Sequence, residues 1–384
     1  MGYAKNNETM DEPIRKRVVV SAVNIRKGGT LNVLLDCLHF LSKEDNLEVT
    51  AIVHNKTCFN THRISYIEIP WSTKNWFYRL WCEYITMNRI SRRLGTIDLW
   101  LSLHDTTPRV KARHQAVYCQ TSFPFMKTKL QDFRMDIKIP LFALFTKYAY
   151  KVLVHHNRYL IVQQQWFRHR ISQITRFPEE RIIVAPPHFE SLVIPQNNDH
   201  QEVPIFFFPS SPDCHKNFES LCEAAALLEN SIGPGRFKVI LTITGNENKY
   251  SKWLHSRFSQ VSSIIFTGYL SKEELVHYYS KAACLVFPSR AETWGLPISE
   301  FKQTGKPMIL AELPYSHESA SGARSVAFFN PLDSSSLASL MLEIIEGKLH
   351  SFVRVPTVQY SHPYSPTWDA LFNVLLEDES LTTR

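Results

Sequence analysis

The chain has 384 residues, of which 44% are hydrophobic and 21% are charged. This composition is typical of a globular protein, and the length predicts two domains of ordinary size. No stretch reaches the roughly 18 consecutive apolar residues of a membrane-spanning helix, and the polar residues 1–13 lack the apolar centre of a signal peptide. The seven cysteines form no CxxC pair, which favours reduced thiols over disulfides or a zinc site. We therefore expect a cytoplasmic protein.

The net charge of +7 is unevenly distributed, with +11 in residues 1–200 and −4 in residues 201–384. A basic first half favours an anionic partner, such as a membrane surface, a phosphate-bearing substrate or nucleic acid, and a solvated basic surface is the alternative. No recognisable RNA- or DNA-binding module accompanies the charge, so no nucleic-acid partner is expected.

Short apolar runs rich in β-branched and aromatic residues recur along the chain. In the first half they predict strands at 17–23, 47–54, 64–69, 97–103, 116–119 and 160–162, with a helix at 31–41. In the second half they predict strands at 203–208, 237–244, 263–266, 284–288, 308–310 and 326–329, with helices at 217–228, 272–282, 297–303 and 335–345. Strands alternating with helices indicate parallel sheets, and the polar, proline-bearing stretch 186–204 is the predicted linker.

The segment 287–307, FPSRAETWGLPISEFKQTGKP, is the most informative of the chain. A predicted strand ends at its start, Glu292 lies in the following loop, and Gly295-Leu296-Pro297 opens a helix with Glu300 in its first turn. Free backbone N–H groups at a helix start suit a phosphate, and a carboxylate beside them can accept two hydrogen bonds from a ribose diol. The spacing alone leaves open that Glu292 is a solvated loop residue and that Glu300 only favours the helix dipole.

Several motifs in this order resemble those of the family 4 retaining glycosyltransferases (glycosyltransferase group 1), which have the GT-B fold. Glu292 and Glu300 match the Glu-x7-Glu motif of that family. Other segments similar to its motifs are 266–279 (F-x-G, then L and Y), 305–309 (GKPMI), 313–318 (LPYSHE) and 330–338 (NPLDSSSLA). The resemblance is concentrated in the second half of the chain.

The resemblance implies an α/β protein with two Rossmann-like domains, whose parallel sheets face a central cleft. It implies an N-terminal acceptor-side domain at 1–190 and a nucleotide-sugar-binding domain at 201–365. A C-terminal helix within 366–384 would cross back towards the first domain. In the donor site, Glu300 would contact the ribose and Glu292 the donor sugar, beside the backbone of Gly295 and Leu296.

Two further loops resemble phosphate-binding segments of the family. Lys216, in the sequence HKN, can pair with a diphosphate and stabilise the departing nucleotide. The Arg that many members carry several residues earlier is absent, so Arg290 or a cation of the first domain could compensate, or Lys216 could act alone. Gly28 and Gly29 resemble the family's glycine loop, which reaches the donor diphosphate, although a tight turn is the simpler interpretation.

Gln120 stands where members of the family often have a histidine near the reacting sugar, in a segment similar to Y-C-H-x-P-x-P-F. Glutamine can hydrogen-bond a sugar hydroxyl but cannot carry a charge. We therefore predict Glu292, Lys216 and Gln120 as catalytic residues. His104 and Asp105 also follow a predicted strand, and either a cleft role or a loop-capping role fits them.

No metal-ligand spacing or dinucleotide motif occurs, so we expect neither a metal nor another cofactor. The basic and aromatic segment 71–94 fits an amphipathic helix on anionic lipid, or a helix whose aromatic residues lie in the core. The sequence thus predicts a retaining glycosyltransferase that moves a hexose-type sugar from a nucleotide-diphosphate sugar to a glycan or lipid-linked acceptor, in surface-polysaccharide synthesis. It would act at the inner face of the cytoplasmic membrane. A GT-B epimerase or hydrolase, or a non-catalytic sugar-nucleotide-binding protein, stays an alternative.

Overall fold

The computed structural model describes residues 15–26, 28–59, 61–187, 192–195 and 203–377. Backbone contacts divide the chain into two compact units. The first unit comprises the described residues of Met1–Gln120, Val152–Ile161 and Ser365–Arg384, and the second comprises those of Thr121–Lys151 and Val162–Tyr364. Most of the predicted linker at 186–204 lies outside the described residues.

The strands form two sheets. The strands are β1 (Lys16–Ala22), β2 (Leu47–Val53), β3 (Ile64–Glu68), β4 (Leu99–Ser102), β5 (His114–Cys119), β6 (Tyr159–Val162), β7 (Ile182–Val184), β8 (Ile205–Phe208), β9 (Lys238–Leu241), β10 (Ile264–Phe266), β11 (Cys284–Phe287), β12 (Met308–Ala311) and β13 (Val326–Phe329). One sheet has the order β3-β2-β1-β4-β5-β6-β7, and the other has the order β10-β9-β8-β11-β12-β13.

Most of the helices lie between successive strands as crossovers, and the last two follow β13. They are α1 (Gly29–Leu41), α2 (Trp76–Trp81), α3 (Met87–Arg93), α4 (Leu130–Met135), α5 (Lys138–Ala149), α6 (Gln165–Thr175), α7 (Phe218–Ile232), α8 (Lys249–Phe258), α9 (Lys272–Lys281), α10 (Leu296–Lys302), α11 (Pro314–Ser319), α12 (Ser334–Ile345) and α13 (Trp368–Leu376). One π-helical turn, Cys82–Thr86, joins α2 to α3.

The pairings of β1 with β2 and β4, and of β8 with β9 and β11, are parallel. Parallel strands with crossover helices have both faces covered, which is why the central strands are continuous apolar runs. Phe206, Phe207 and Phe208 of β8, for example, are fully buried in the core of the second unit. The predicted α/β class with two parallel sheets is confirmed.

Local sequence signals locate the element ends well where a capping residue is present. Ser271 caps α9, since its hydroxyl accepts from the Glu274 N–H while the Glu274 carboxylate accepts from the Ser271 N–H. Strand β7 and the helices α4, α5, α6, α8 and α11 were not predicted as elements, whereas α2 and α3 lie within the predicted helical segment 71–94. Strand β7 and the helices α4 and α11 have fewer than ten residues, which is too short for a clear periodicity.

The compact units do not follow the predicted domain limits in the middle of the chain. Residues 121–151, placed by the sequence in the domain at 1–190, belong by their contacts to the second unit, together with residues from Val162 onward. Helix α13 belongs to the first unit, where Phe372 stacks on Phe40 of α1 at 5.5 Å between ring centroids.

Among the described residues, no helix is long and apolar enough to cross a membrane. The six cysteines whose side chains are described are buried free thiols, at 37, 82, 119, 214, 222 and 284. Burial raises the pKa of each of these thiols, which keeps them protonated and unreactive.

Candidate active site

The second sheet changes direction between β8 and β11. From β8 the chain continues to β9 on one side, and from β11 it continues to β12 on the other. Open parallel sheets bind ligands at such a switch point, beyond the carboxyl ends of the strands. The loops that follow these two strands carry Lys216 and Glu292, so the sheet topology brings two of the predicted residues to its ligand-binding edge.

Lys216 and Glu292 form an ion pair in which the Lys216 ammonium donates to Glu292 Oε1 at 2.5 Å. Their side chains are 16% and 14% exposed, so the pair lies at the boundary of the interior and a ligand can reach both groups. The Lys216 ammonium can bind a phosphate, and the Glu292 carboxylate can accept a hydrogen bond from a sugar hydroxyl.

Asn217 fixes the loop that carries Lys216. It has the left-handed backbone conformation, with φ of 61°, which asparagine tolerates better than most residues. Its buried amide donates to the carbonyl oxygens of Pro288 at 3.1 Å and Pro331 at 2.8 Å. The loops after β8, β11 and β13 are thereby joined at one residue, beside the Lys216–Glu292 pair.

Glu300 lies in the second turn of α10, because the helix begins at Leu296. The prediction of a first-turn position was therefore wrong. Glu300 Oε2 accepts a hydrogen bond of 2.7 Å from the hydroxyl of Tyr279. Burial raises the pKa of Glu300, although this hydrogen bond and the charge of Lys272 oppose the increase. A partly buried carboxylate held by one donor keeps acceptor capacity for ligand hydroxyls.

Gly295 precedes α10 in the left-handed conformation, with φ of 82°. A Cβ atom there would lie 3.2 Å from Ile298 Cδ1 and 3.4 Å from Phe287 Cε1. Both the backbone conformation and the close packing favour glycine at this position. Gly295 therefore sets the direction in which the chain passes from Glu292 to Leu296 and Glu300.

Arg290 is a buried structural cation. Its guanidinium makes a bidentate pair with Asp132 of α4, one contact being 3.0 Å, and Nη2 also donates to the Cys214 carbonyl at 3.1 Å. The Arg290 and Asp132 side chains are 4% and 2% exposed. Both terminal nitrogens of Arg290 thus hold Asp132 and the backbone near Lys216, so replacing the missing phosphate-binding arginine, which stays a prediction, would require Arg290 to change partners.

Asp132 and Lys129 are the residues near this site that the sequence did not reveal. The Lys129 ammonium donates to Asn217 Oδ1 at 3.0 Å and lies 3.5 Å from Glu219 Oε1. Burial lowers the pKa of Lys129, although Glu219 partly opposes this. These partners are some 90 and 160 positions apart in the chain, and no motif or spacing connects them.

Gly28, Gly29 and Gln120 belong to the first unit. Gly28 has φ of 73° and precedes α1, which begins at Gly29, so both lie at the predicted strand-to-helix turn. Gln120 is buried, and its amide Nε2 donates to the Leu103 carbonyl at 2.7 Å. That bond uses part of the hydrogen-bonding capacity on which the predicted role depends.

His104 lies in a buried polar cluster of the first unit. Its Nε2 is 3.0 Å from Ser21 Oγ, and its Nδ1 is 3.1 Å from Thr106 Oγ1 and 3.5 Å from Glu83 Oε1. Burial lowers the pKa of His104 to about 4, although Glu83 partly opposes this. The loop-stabilising interpretation of His104 fits these contacts.

In the segment 71–94, α2, the π-helical turn and α3 follow one another without a break from Trp76 to Arg93. Arg79 pairs with the buried Glu83 at 2.5 Å. The exposed large side chains of this segment are Trp76, Phe77, Tyr78, Leu80 and Trp81. Arg79, whose side chain is 18% exposed, therefore reaches inward to Glu83, and the exposed large apolar side chains of this segment lie on α2.

The described residues contain no group of three or more His, Cys, Asp or Glu side chains able to hold a metal ion.

The predicted site residues divide into two sets. Lys216, Glu292, Gly295, Leu296 and Glu300 lie around one sheet edge of the second unit, and Gly28, Gly29 and Gln120 lie in the first unit.

Comparison with known proteins finds a family match over the domain that holds the first set. Residues 203–347 match the family model described as glycosyl transferases group 1. The match includes every strand of the second sheet, from β8 to β13, and supports a glycosyltransferase. The chain is also 25% identical over 186 residues to the O-antigen chain mannosyltransferase B of Escherichia coli. The aligned region covers 45% of this chain and about half (48%) of that relative.

Solved GT-B glycosyltransferase structures share the fold. The sucrose-phosphate synthase of Thermosynechococcus elongatus is similar with a TM-score of 0.64, 13% identity and coverage of 86% of this chain and 90% of that chain. The Anabaena protein HepE, solved with UDP-glucose, is similar with a TM-score of 0.57, 14% identity and coverage of 86% and 90%, respectively. At such identities the likeness shows the fold alone.

Proposed function

We propose that this chain is a retaining glycosyltransferase of the family 4 type, which moves a hexose-type sugar from a nucleotide-diphosphate sugar to a glycan or lipid-linked acceptor. The observation that carries the proposal is the position of the Lys216–Glu292 pair and of Glu300, at the switch point of the sheet within the matched domain.

In the proposed complex, Lys216 exchanges its contact with Glu292 for the donor diphosphate. It then stabilises the charge that develops on the leaving group. Glu292 becomes free to accept a hydrogen bond from the donor sugar. Glu300 accepts from the ribose hydroxyls while Tyr279 holds its other oxygen. The exchange of partners at Lys216 requires the partial exposure that both side chains of the pair have.

The backbone of Gly295 and Leu296 would line the donor site, and the glycine turn of the first unit, Gly28 and Gly29, would approach the diphosphate. Gln120 would hydrogen-bond a sugar hydroxyl. The acceptor hydroxyl would attack from the face that the nucleotide leaves, which gives retention. We propose that no metal ion or other cofactor takes part, because the cationic Lys216 supplies the charge stabilisation.

The acceptor is proposed from the curated relative, which is named for O-antigen chain synthesis. A surface polysaccharide grown on a lipid carrier fits this relative and the excess of basic residues in the first half of the chain. We propose that the reaction takes place at the cytoplasmic face of a membrane, with the exposed aromatic residues of α2 as one contact.

The experiment is the release of nucleoside diphosphate from a panel of nucleotide sugars, with and without a mixture of glycan and lipid-phosphate acceptors. Acceptor-dependent release from one donor is expected. The Glu300→Gln variant should lower kcat/KM by a factor on the order of 100, because charged hydrogen bonds to the ribose are lost. The matched control is Glu346→Gln, which changes an exposed carboxylate paired with Lys348.

Release of diphosphate without acceptor would instead indicate an epimerase or hydrolase, once the sugar product is identified. Donor binding with no turnover on any acceptor would indicate a sugar-nucleotide-binding protein. Full activity of Glu300→Gln would contradict the assignment of the donor site, whatever the reaction is.

A further inference from the structure

The loop that carries Lys216 brings little positive charge of its own to a diphosphate. Residues 208–217 contain no arginine, and their basic residues are His215 and Lys216. Burial and the charges of Lys216 and Arg290 hold the pKa of His215 well below its ordinary value, so its imidazole is neutral. Both phosphates of a nucleotide-diphosphate sugar are ionised, so a cation from another part of the chain would complete their binding site.

Lys129, which directly precedes α4, reaches the residue that follows Lys216. Its ammonium donates to Asn217 Oδ1 at 3.0 Å and lies 3.5 Å from Glu219 Oε1. The second distance is longer than an ordinary hydrogen bond, and Glu219 Oε2 already accepts from the Tyr250 hydroxyl. The Lys129 ammonium is therefore held mainly by a neutral amide oxygen. Of its three N–H donors, the described residues accept from at most two.

The cations beside this loop differ in how far a ligand can reach them. The Arg290 side chain is 4% exposed, and its terminal nitrogens are bound to Asp132 and to the Cys214 carbonyl. The side chains of Lys216 and Lys129 are 16% and 25% exposed. Lys129 is thus more accessible than the lysine that the proposed function places on the diphosphate.

The buried cations beside the loop also differ in how well their charge is balanced. Burial acts against the charge of Arg290, but Asp132 outweighs it and raises the pKa of the guanidinium. Burial lowers the pKa of Lys129, and the carboxylate of Glu219 does not fully oppose this. A partly buried cation that its carboxylates do not fully balance is stabilised by an anion bound beside it.

Lys129 and the Lys216 loop are held by the same buried pair. The Lys129 N–H donates to Asp132 Oδ2 at 2.7 Å, and Asp132 binds the Arg290 guanidinium. The backbone N–H of Arg290 in turn donates to the carbonyl of His215, the residue before Lys216, at 2.8 Å. The backbones that carry the two lysines are therefore fixed before any ligand binds, as electrostatic stabilisation of a leaving group requires.

We propose that Lys129 is a second phosphate-binding residue of the donor site, which supplies the cation that the loop after β8 lacks. Its ammonium donates a charged hydrogen bond to the donor diphosphate while Asn217 keeps it beside the Lys216 loop. The inference rests on the proposed function, because it takes the donor to be a nucleotide-diphosphate sugar. It adds a residue of the segment 121–151, which the sequence placed in the other domain.

The test is the dissociation constant of UDP, GDP and dTDP for the full-length protein, measured by isothermal titration calorimetry. The Lys129→Met variant keeps the length of the side chain and removes its charge. It should bind the tightest of the three diphosphates about tenfold to a hundredfold more weakly, which is the effect of one charged hydrogen bond. Lys129→Arg should retain most of the affinity, because it keeps the charge and the donors.

The matched control is Lys252→Met, which removes the charge of an exposed lysine of α8. It should bind the diphosphate like the unmodified protein. Thermal unfolding identifies any variant that fails to fold. If Lys129→Met does, Lys129→Gln takes its place, since its amide offers Asn217 a neutral N–H donor.

A double variant separates a contact with the diphosphate from a role in holding the loop. If Lys129 binds the diphosphate itself, Lys129→Met should weaken binding by a similar factor when Lys216→Ala is already present. If Lys129 acts only by positioning Lys216, its substitution should have no further effect in that background.

Three results would overturn the inference. The first is equal affinity of Lys129→Met and Lys252→Met for the diphosphate. The second is an effect of Lys129→Met that disappears in the Lys216→Ala background, which would make Lys129 a positioning residue. The third is an unmodified protein that binds none of the three diphosphates. That result would contradict the proposed function together with the inference, whereas the first two leave the proposed function intact.

Discussion

Both units contain an ion pair with a buried carboxylate, but the two pairs leave different groups available to a ligand. In the first unit, Glu83 pairs with Arg79 and also lies beside His104, which follows β4. In the second unit, Asp132 and Arg290 form a buried pair, whereas Lys216 and Glu292 remain partly exposed.

The contrast shows where side chains at strand ends are free to react. The polar groups after β4 and β5 already have partners within the unit: His104 contacts Ser21 and Thr106, and the Gln120 amide nitrogen donates to the Leu103 carbonyl. In the second unit, Arg290 of the buried pair donates to the Cys214 carbonyl. Lys216 lies two residues after Cys214, and Glu292 lies two residues after Arg290. Chemistry is therefore expected mainly at the second sheet.

The largest expected effect is on turnover, on substitution of the partly exposed Lys216. Lys216→Ala should lower kcat/KM by a factor of about 10² to 10³, because a preorganised charge that stabilises the leaving group is lost. The free energy of unfolding should change little, since the side chain is at the surface boundary. Steady-state kinetics against the exposed-site control Lys252→Ala measures this, and equal activity of the two variants would contradict the proposed role.

The buried pair of the second unit should govern stability. Asp132→Ala leaves the Arg290 charge buried without its bidentate partner, and should lower the free energy of unfolding by about 3–5 kcal/mol. The double variant Asp132→Leu/Arg290→Met should recover much of this loss, because it removes both charges. Chemical denaturation of the three proteins tests the comparison. A cost well below 1 kcal/mol for Asp132→Ala would mean that the pair is dispensable.

The buried cluster of the first unit should make stability depend on pH. The pKa of His104 is about 4, below its ordinary value of about 6.5. The unfolded chain therefore binds a proton more readily, and stability falls as the pH decreases from about 6.5 to about 4. The shift corresponds to about 3 kcal/mol. Thermal unfolding across this range should have a weaker pH dependence in His104→Gln, and an identical dependence would contradict this interpretation.

The smallest effect is expected at Gln120. Because its amide donates to the Leu103 carbonyl, Gln120→Ala should cost about 1 kcal/mol of stability and lower kcat less than tenfold. Parallel measurement of unfolding and of kcat separates the two roles. A fall in kcat of a hundredfold or more, with unchanged stability, would assign Gln120 to the reaction and extend the active chemistry to the first unit.

The sequence by itself predicted the α/β class, the two parallel sheets and most of their strands, because these depend on local apolar runs and helical periodicity. It also predicted the loops that carry Lys216 and Glu292, since each loop directly follows a predicted strand. Gly295 was recognisable for a local reason as well, namely the turn before α10.

Only the tertiary structure decided which charged groups are saturated and which helix face is left open. Arg290 and Asp132 are far apart in the chain, and no local sequence pattern predicts that they form a buried ion pair. The large apolar residues of α5, such as Leu144 and Phe145, are exposed although they have the spacing of an ordinary core helix, and periodicity does not specify which side of a helix meets the core. Burial and pairing of this kind depend on packing between distant segments, which is settled only when the chain is folded.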